Sequence, residues 1–203
     1  MNFKINKKLM LVALLLASGF AHGAISLGLI PQGQSGNTVN VGIIISGLGS
    51  GTAPSLSTYD LDINFDGSHL AFANAAFGDP VLGNQLDLFN SGSNPAVFDL
   101  TRQGNLNLFE LSLDSVSNLD GLQADSFTLA NLTFNVLNAG TSKLTIVINA
   151  LGGAEGDLLA ANVVPATMTT VVPLPPAFIL MLPGLAGIAL TGKNTKRSRI
   201  HKL

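Results

Sequence analysis

The chain contains no cysteine, which rules out a disulfide framework, a thiolate nucleophile and any sulfur-ligated metal centre. It contains no tryptophan, and Tyr59 is its single tyrosine. Flat sugar-binding platforms are built from such rings, so the composition argues against one. Basic residues are nearly missing from the middle of the chain. Between Ala24 and Val172 only Arg102 and Lys143 are basic, whereas all twelve acidic residues lie there, which leaves that body with a formal charge of −10. The overall value of −2 conceals this. Phosphate binding requires clustered lysine and arginine, and nucleic acid is therefore excluded as a partner. Histidine is scarce too, with His69 alone in the body. There is no G-x-S-x-G nucleophile elbow, and chance pairs of aspartates on a charged surface are weak evidence for acid/base chemistry. The reading is of a protein that is not an enzyme and needs no cofactor.

Both ends of the chain carry what the body lacks. Lys4, Lys7 and Lys8 precede the apolar run Leu9 to Ala17, and the small residues Ala21, Gly23 and Ala24 follow. A basic start, a short apolar stretch and a small-residue cleavage zone form a secretory signal peptide over 1–23, cut after Gly23. The run is too short to span a bilayer, which takes about 20 residues. At the other end, the motif Pro173-Leu174-Pro175-Pro176 leads into an apolar segment over 177–192, broken by Pro183-Gly184, and then a basic tail over 193–203. Lys193, Lys196, Arg197 and Arg199 should halt this segment in the membrane with the basic end in the cytoplasm and the body outside. A simple tail anchor satisfies the same geometry. A glycolipid-anchor signal would end in its apolar tail, and the wall-sorting LPxTG pattern is absent. The three-part layout resembles the PEP-CTERM sorting signal of Gram-negative bacteria, in the VPLP-type variant with Leu174 in place of the middle glutamate. That resemblance implies processing by an exosortase in an organism that makes exopolysaccharide, with the protein held briefly in the inner membrane before release to the cell surface or beyond.

In the body, apolar residues recur at every second position between clusters of Gly, Asn, Ser and Pro, the pattern of half-buried strands. The alternation marks Ile25 to Leu29, Val39 to Ile45, Tyr59 to Phe65, Leu86 to Phe89, Asn105 to Leu113, Phe127 to Leu137, Lys143 to Ala150 and Met168 to Val172. Two of these slip phase, and bulges are expected near Leu108 and Ala130 to absorb the slip. Thr145 to Ile148 is apolar enough on both faces for a central strand. Val116 to Ser126 offers the one short helical turn. Eight or nine strands over 24–172 make an all-β, two-sheet sandwich. The blocks Tyr59 to Phe72, Asn107 to Ser115, Leu119 to Ile146 and Gly152 to Asp157 follow the order seen in cohesin-like domains of exported bacterial proteins, FTLANLTF (Phe127 to Phe134) most specifically. The resemblance implies a jelly-roll β-sandwich of about nine strands, related to carbohydrate-binding modules and best known for docking onto dockerin proteins.

Two acidic stretches invite a metal test. Asp62, Asn64, Asp66 and Gly67 match the first positions of a calcium loop, but Ala73 stands where the bidentate glutamate belongs. The alternation of Leu61, Ile63 and Phe65 favours a strand with a solvated acidic face, with calcium on Asp62, Asn64 and Asp66 as the alternative. Glu155 and Asp157 lie in the Gly-rich GGAEGD, read as a hairpin turn. The sequence thus points to an exported, non-catalytic interaction protein of the cell surface or the biofilm matrix. Its expected partners are the exosortase, the membrane through the tail, and a surface protein. A module that binds the secreted polysaccharide is the rival reading, and Tyr59 the ring that would serve it.

Overall fold

The computed structural model describes residues 23–172. The leader, the motif Pro173 to Pro176, the apolar segment and the basic residues Lys193, Lys196, Arg197 and Arg199 lie outside the described residues. The body is the two-sheet β-sandwich expected, with ten strands and one helix. In chain order these are β1 (Ser26–Ser35), β2 (Thr38–Ser46), β3 (Leu56–Asn64), β4 (Leu70–Phe77), β5 (Ala96–Arg102), β6 (Asn105–Leu111), α1 (Val116–Leu122), β7 (Ser126–Val136), β8 (Gly140–Gly153), β9 (Asn162–Val164) and β10 (Ala166–Thr170). One sheet runs β4-β7-β2-β1-β9 and the other β10-β8-β3-β6-β5. All pairings are antiparallel except that of β1 with β9.

The period-two pattern dictates the core. Val39, Val41, Ile43 and Ile45 of β2 and Tyr59, Leu61 and Ile63 of β3 point between the sheets, where they meet Leu106, Leu108, Leu132 and Phe134 in one apolar cluster. Phe65 and Phe134 meet edge to face at 4.9 Å between ring centres, the arrangement ring quadrupoles favour. Burying a side chain of this size stabilises the fold by roughly 1.5–3 kcal/mol. The helix starts at Ser115, whose hydroxyl accepts from the Asn118 N–H at 3.3 Å, and its Leu119 packs inward.

The two expected bulges had different fates. On β7, Ile43 pairs with Ala130 but Ile44 with Thr128, so Leu129 is the extra residue. That bulge lets Phe127, Leu129, Ala130 and Leu132 all be buried. Near Leu108 there is no bulge, because β6 runs against β3 in unbroken register from Asn105 to Leu111. The phase slip is resolved by leaving Phe109 and Leu111 on the outer side and placing Glu110 in the core, 0% exposed. Thr145 to Ile148 is paired by β3 on one edge, whereas β10 borders only the earlier part of the strand, Gly140 to Leu144. Only one of its faces is buried, however, and Val147 is 48% exposed. Leu86 to Phe89 forms turns rather than a strand. Three strands escaped the alternation: β4, β5 and β9. In β5 and β9 every residue is exposed; β9 is three residues long, and in β5 Val97 interrupts the alternation of Ala96, Phe98 and Leu100 with polar residues.

Candidate functional site

The alternation that buries Tyr59, Leu61 and Ile63 turns Thr58, Asp60, Asp62 and Asn64 outward. These residues form the centre of the outer face of the second sheet. Asp62 stands opposite Asn107 on β6 and Val147 on β8, and Asp60 opposite Phe109 and Ala150. The Asn107 side-chain amide donates to Asp60 Oδ1 at 2.7 Å and to Asp62 Oδ1 at 2.9 Å, so one neutral donor sits between two carboxylates. The Asn149 amide adds a third bond, to Asp60 Oδ1 at 3.1 Å. At one end of the row the Asn105 amide donates to Asn64 Oδ1 at 2.9 Å. Phe109, Val147 and Val97 border the acidic row with apolar surface. Arg102 pairs in register with Asn105, and Lys143 is two residues before Thr145, the partner of Asn64. Both cations of the body therefore flank the Asn64 end of this face. Backbone ladders on both sides hold β3 and β6, which makes the face a rigid, preorganised patch of acceptors with apolar borders.

The structure does not gather the residues considered for calcium. Asp62 and Asn64 project from one extended strand about 7 Å apart, each engaged by an asparagine. Asp66 lies beyond the strand in the following turn. Its Oδ1 accepts from the N–H of Ser68 at 2.8 Å and from the Ser68 hydroxyl at 2.6 Å, and its Oδ2 meets His69 Nδ1 at 3.0 Å. The Ser68 hydroxyl, the Ser68 N–H and His69 hold this carboxyl below its ordinary range. A strand and a self-satisfied turn thus stand where a calcium loop was the alternative. Among the described residues no three His, Asp or Glu side chains converge on a possible metal position. GGAEGD forms the expected turn, closed by the Gly153 N–H on the Asp157 carbonyl at 2.8 Å.

Tyr59 is a correction of a different kind. It is 0% exposed, and its hydroxyl donates to Glu110 Oε2 at 2.9 Å inside the core. It therefore offers no face to a sugar. Glu110 Oε1 accepts from the Asn84 side-chain amide at 2.5 Å. Burial pushes the Glu110 carboxyl above its ordinary value, against the opposing pull of its two donors. Burial and the adjacent Glu110 likewise raise the Tyr59 hydroxyl well above 10.0. Both carboxylate oxygens are occupied and closed off, so the pair supports structure rather than chemistry on a substrate. Sequence reasoning missed this cluster, though one signal was present: Glu110 continues the phase of Leu106 and Leu108.

Asn84 belongs to the long connection between β4 and β5, which polar contacts pin to the sandwich. Asp79 accepts from the N–H groups of Val81, Leu82 and Thr128 at 2.8, 3.0 and 2.9 Å. Partial burial would raise this carboxyl, but those backbone donors prevail and bring it to about 2. The buried Gln123 donates to the carbonyls of Leu56 and Gln85, both at 2.9 Å.

No family profile and no curated protein matches this sequence. Solved structures do match, and together they define the class: the body has the cohesin fold. The sixth cohesin of scaffoldin B from Acetivibrio cellulolyticus, solved with a mutant dockerin, shares 20% identity at a TM-score of 0.56, over 71% of this chain and 97% of that one. The cohesin of a type I cohesin and dockerin complex from Clostridium thermocellum shares 10% identity at 0.58, over 73% of this chain and 100% of its own. A non-cellulosomal cohesin from the archaeon Archaeoglobus fulgidus shares 16% identity at 0.50, over 73% and 92%.

Proposed function

We infer that this chain is an exported, non-catalytic interaction module that binds a protein partner through the outer face of its second sheet. The observation that carries the reading is the Asp60, Asn107, Asp62 row, a set of fixed acceptors bordered by Phe109, Val147 and Val97 on a rigid sheet. Such a face suits a partner with clustered lysine or arginine and a few apolar side chains, because complementary charge steers the encounter and buried apolar anchors hold it. The cohesin fold supports a protein partner, since two of the similar structures were solved with dockerins. The leader and the tail support delivery. Sec export, transient anchoring by the apolar segment and exosortase processing behind Pro173 to Pro176 would place the acidic body at the surface or in the extracellular matrix of a Gram-negative cell.

A photocrosslinking residue at Val147, compared with one at Asn135 on the outer side of the first sheet, tests the site. A defined protein crosslinked at Val147, lost on Asp60→Lys and not captured at Asn135, is expected. Retention of a polysaccharide on a glycan array with no protein captured would overturn the reading in favour of the carbohydrate-binding rival. Mass spectrometry of the surface-exposed form tests delivery separately. Recovery of intact Phe178 to Leu203 would leave a plain tail anchor.

A further inference from the structure

The strand β5 is a free edge of the second sheet, and all seven of its residues are exposed. Its register with β6 sets the direction of each side chain. Ala96, Phe98 and Leu100 stand opposite the buried Glu110, Leu108 and Leu106, so they point between the layers. Side chains in that position are normally covered, yet Phe98 is 41% and Leu100 47% exposed. Phe98 reaches Phe72 and Phe77 of β4, the edge of the other sheet, at 5.5 and 6.5 Å between ring centres. Beside Leu100 an apolar groove of about 280 Å³ opens, lined by Phe65, Leu70, Phe72 and Leu137. The sandwich is open along the β4 and β5 side. The edge carries no lysine, and its only charges are Asp99 and Arg102.

The charges on β5 indicate what covers it. Without a bulge, Asp99 and Arg102 would project to opposite sides of the strand. The register shift at Thr101 places both on the outer side, opposite Asn107 and Asn105. The ion pair found among the described residues joins His69 and Asp66, and neither Asp99 nor Arg102 takes part in one. Within the acidic body Arg102 and Lys143 are the only cations, and Lys143 lies on the interior strand β8. The one basic group of the body on a free edge is therefore on β5 itself, beside its own complement. Isologous contacts require a strip of this self-complementary kind.

We propose that β5 pairs antiparallel with β5 of a second copy of this chain, about a two-fold axis between Leu100 and Thr101. Asp99 then faces Arg102 of the second copy, and Arg102 faces its Asp99. The same axis brings the two open sides together, so Phe98 and Leu100 of each copy gain the cover they lack. The two second sheets join into one continuous sheet, and the acidic outer faces of both copies are presented on the same side. This contact adjoins the binding face, since Asp99 stands opposite Asn107, but crosslinking at Val147 reads the face and a Thr101→Cys disulfide reads the edge, so their failures are distinguishable.

The absence of cysteine makes the test direct. In the full chain, expressed with its own export signals, Thr101→Cys should form a disulfide-linked dimer on mild oxidation, and Val147→Cys should not. Adding Asp99→Arg to Thr101→Cys should lower the yield about tenfold through like-charge contacts. Adding Arg102→Asp as well should restore it, which also guards against a folding defect. A Thr101→Cys chain that crosslinks no better than Val147→Cys would overturn the proposal, as would a yield indifferent to Asp99→Arg. If the thiol introduced by Thr101→Cys is shielded from maleimide in cells without any crosslink, the edge has a different occupant and the proposal is likewise overturned.

Discussion

Replacing Glu110 tests the most consequential feature of the core. Its carboxylate is enclosed, bonded by the Tyr59 hydroxyl at 2.9 Å and the Asn84 amide at 2.5 Å. Glu110→Ala leaves that hydroxyl without a partner in an apolar interior, a loss of about 1–3 kcal/mol. The vacated volume adds to this, and the sum should approach about 3 kcal/mol. For a body of this size that lowers the melting temperature by about 6–12 °C. Glu110→Gln keeps the shape and removes the charge, with one acceptor oxygen left for the two donors. Because burial raises the folded carboxyl above its ordinary 4.5, the native state holds the proton more tightly than the unfolded chain. Wild-type stability from this group therefore declines as pH rises from about 4.5 to the raised value and is level above it. Glutamine has no proton to lose, so Glu110→Gln should gain on the wild type as pH rises above about 4.5. Urea unfolding followed by circular dichroism and by Tyr59 fluorescence, the latter free of tryptophan background, measures both effects. A difference between Gln and wild type that does not change with pH would refute the reasoning. So would an alanine variant that loses less than about 1 kcal/mol.

The connection pinned by Asp79 should behave in the opposite sense. With its folded value depressed to about 2, its contribution is present above pH 3.8 and lost as pH falls towards 2. Asp79→Asn should therefore cost about 1 kcal/mol at neutral pH, discounted for its exposure, and progressively less as pH falls through about 2 in acid titration melts. Asn107→Ala removes the donor shared by Asp60 and Asp62. It should destabilise by about 1 kcal/mol, more at low than at high ionic strength in thermal melts, because the two carboxylates then repel unscreened. Gly104 turns the β5 and β6 hairpin with φ +84, and an added Cβ would lie 2.7 Å from the Phe65 carbonyl oxygen. Gly104→Ala should cost about 2 kcal/mol or more in denaturant titrations. Gly51→Ala should cost less, since its φ is +70 but no atom lies within 4 Å.

Legibility followed the range of the interaction. Strands β2, β3, β7 and β8 were readable because each has one buried and one wet side, and the bulge on β7 was readable from its phase slip. An identical slip at Leu108 misled, because a buried glutamate can replace a bulge when a tyrosine and an asparagine distant in sequence satisfy it. The edge strands β5 and β9 have every residue exposed, and a register shift at Thr101 breaks the phase of β5, so neither stood out by alternation. Asp62 and Asn64 were correctly assigned to a strand with an acidic face. Their partners Asn105 and Asn107, more than forty positions away, could be found only from the register of β3 against β6.

What the sequence determined by itself was an acidic, all-β body, written in local composition and period-two spacing. Tertiary structure decided which surfaces remain. It withdrew Tyr59 into the core, gave Asp60 and Asp62 a shared donor, and left β5 uncovered with Asp99 and Arg102 on one side. The reason is physical. Hydrophobic alternation is set by neighbours two residues apart, whereas a binding face or a bare edge exists only once distant strands have taken their register.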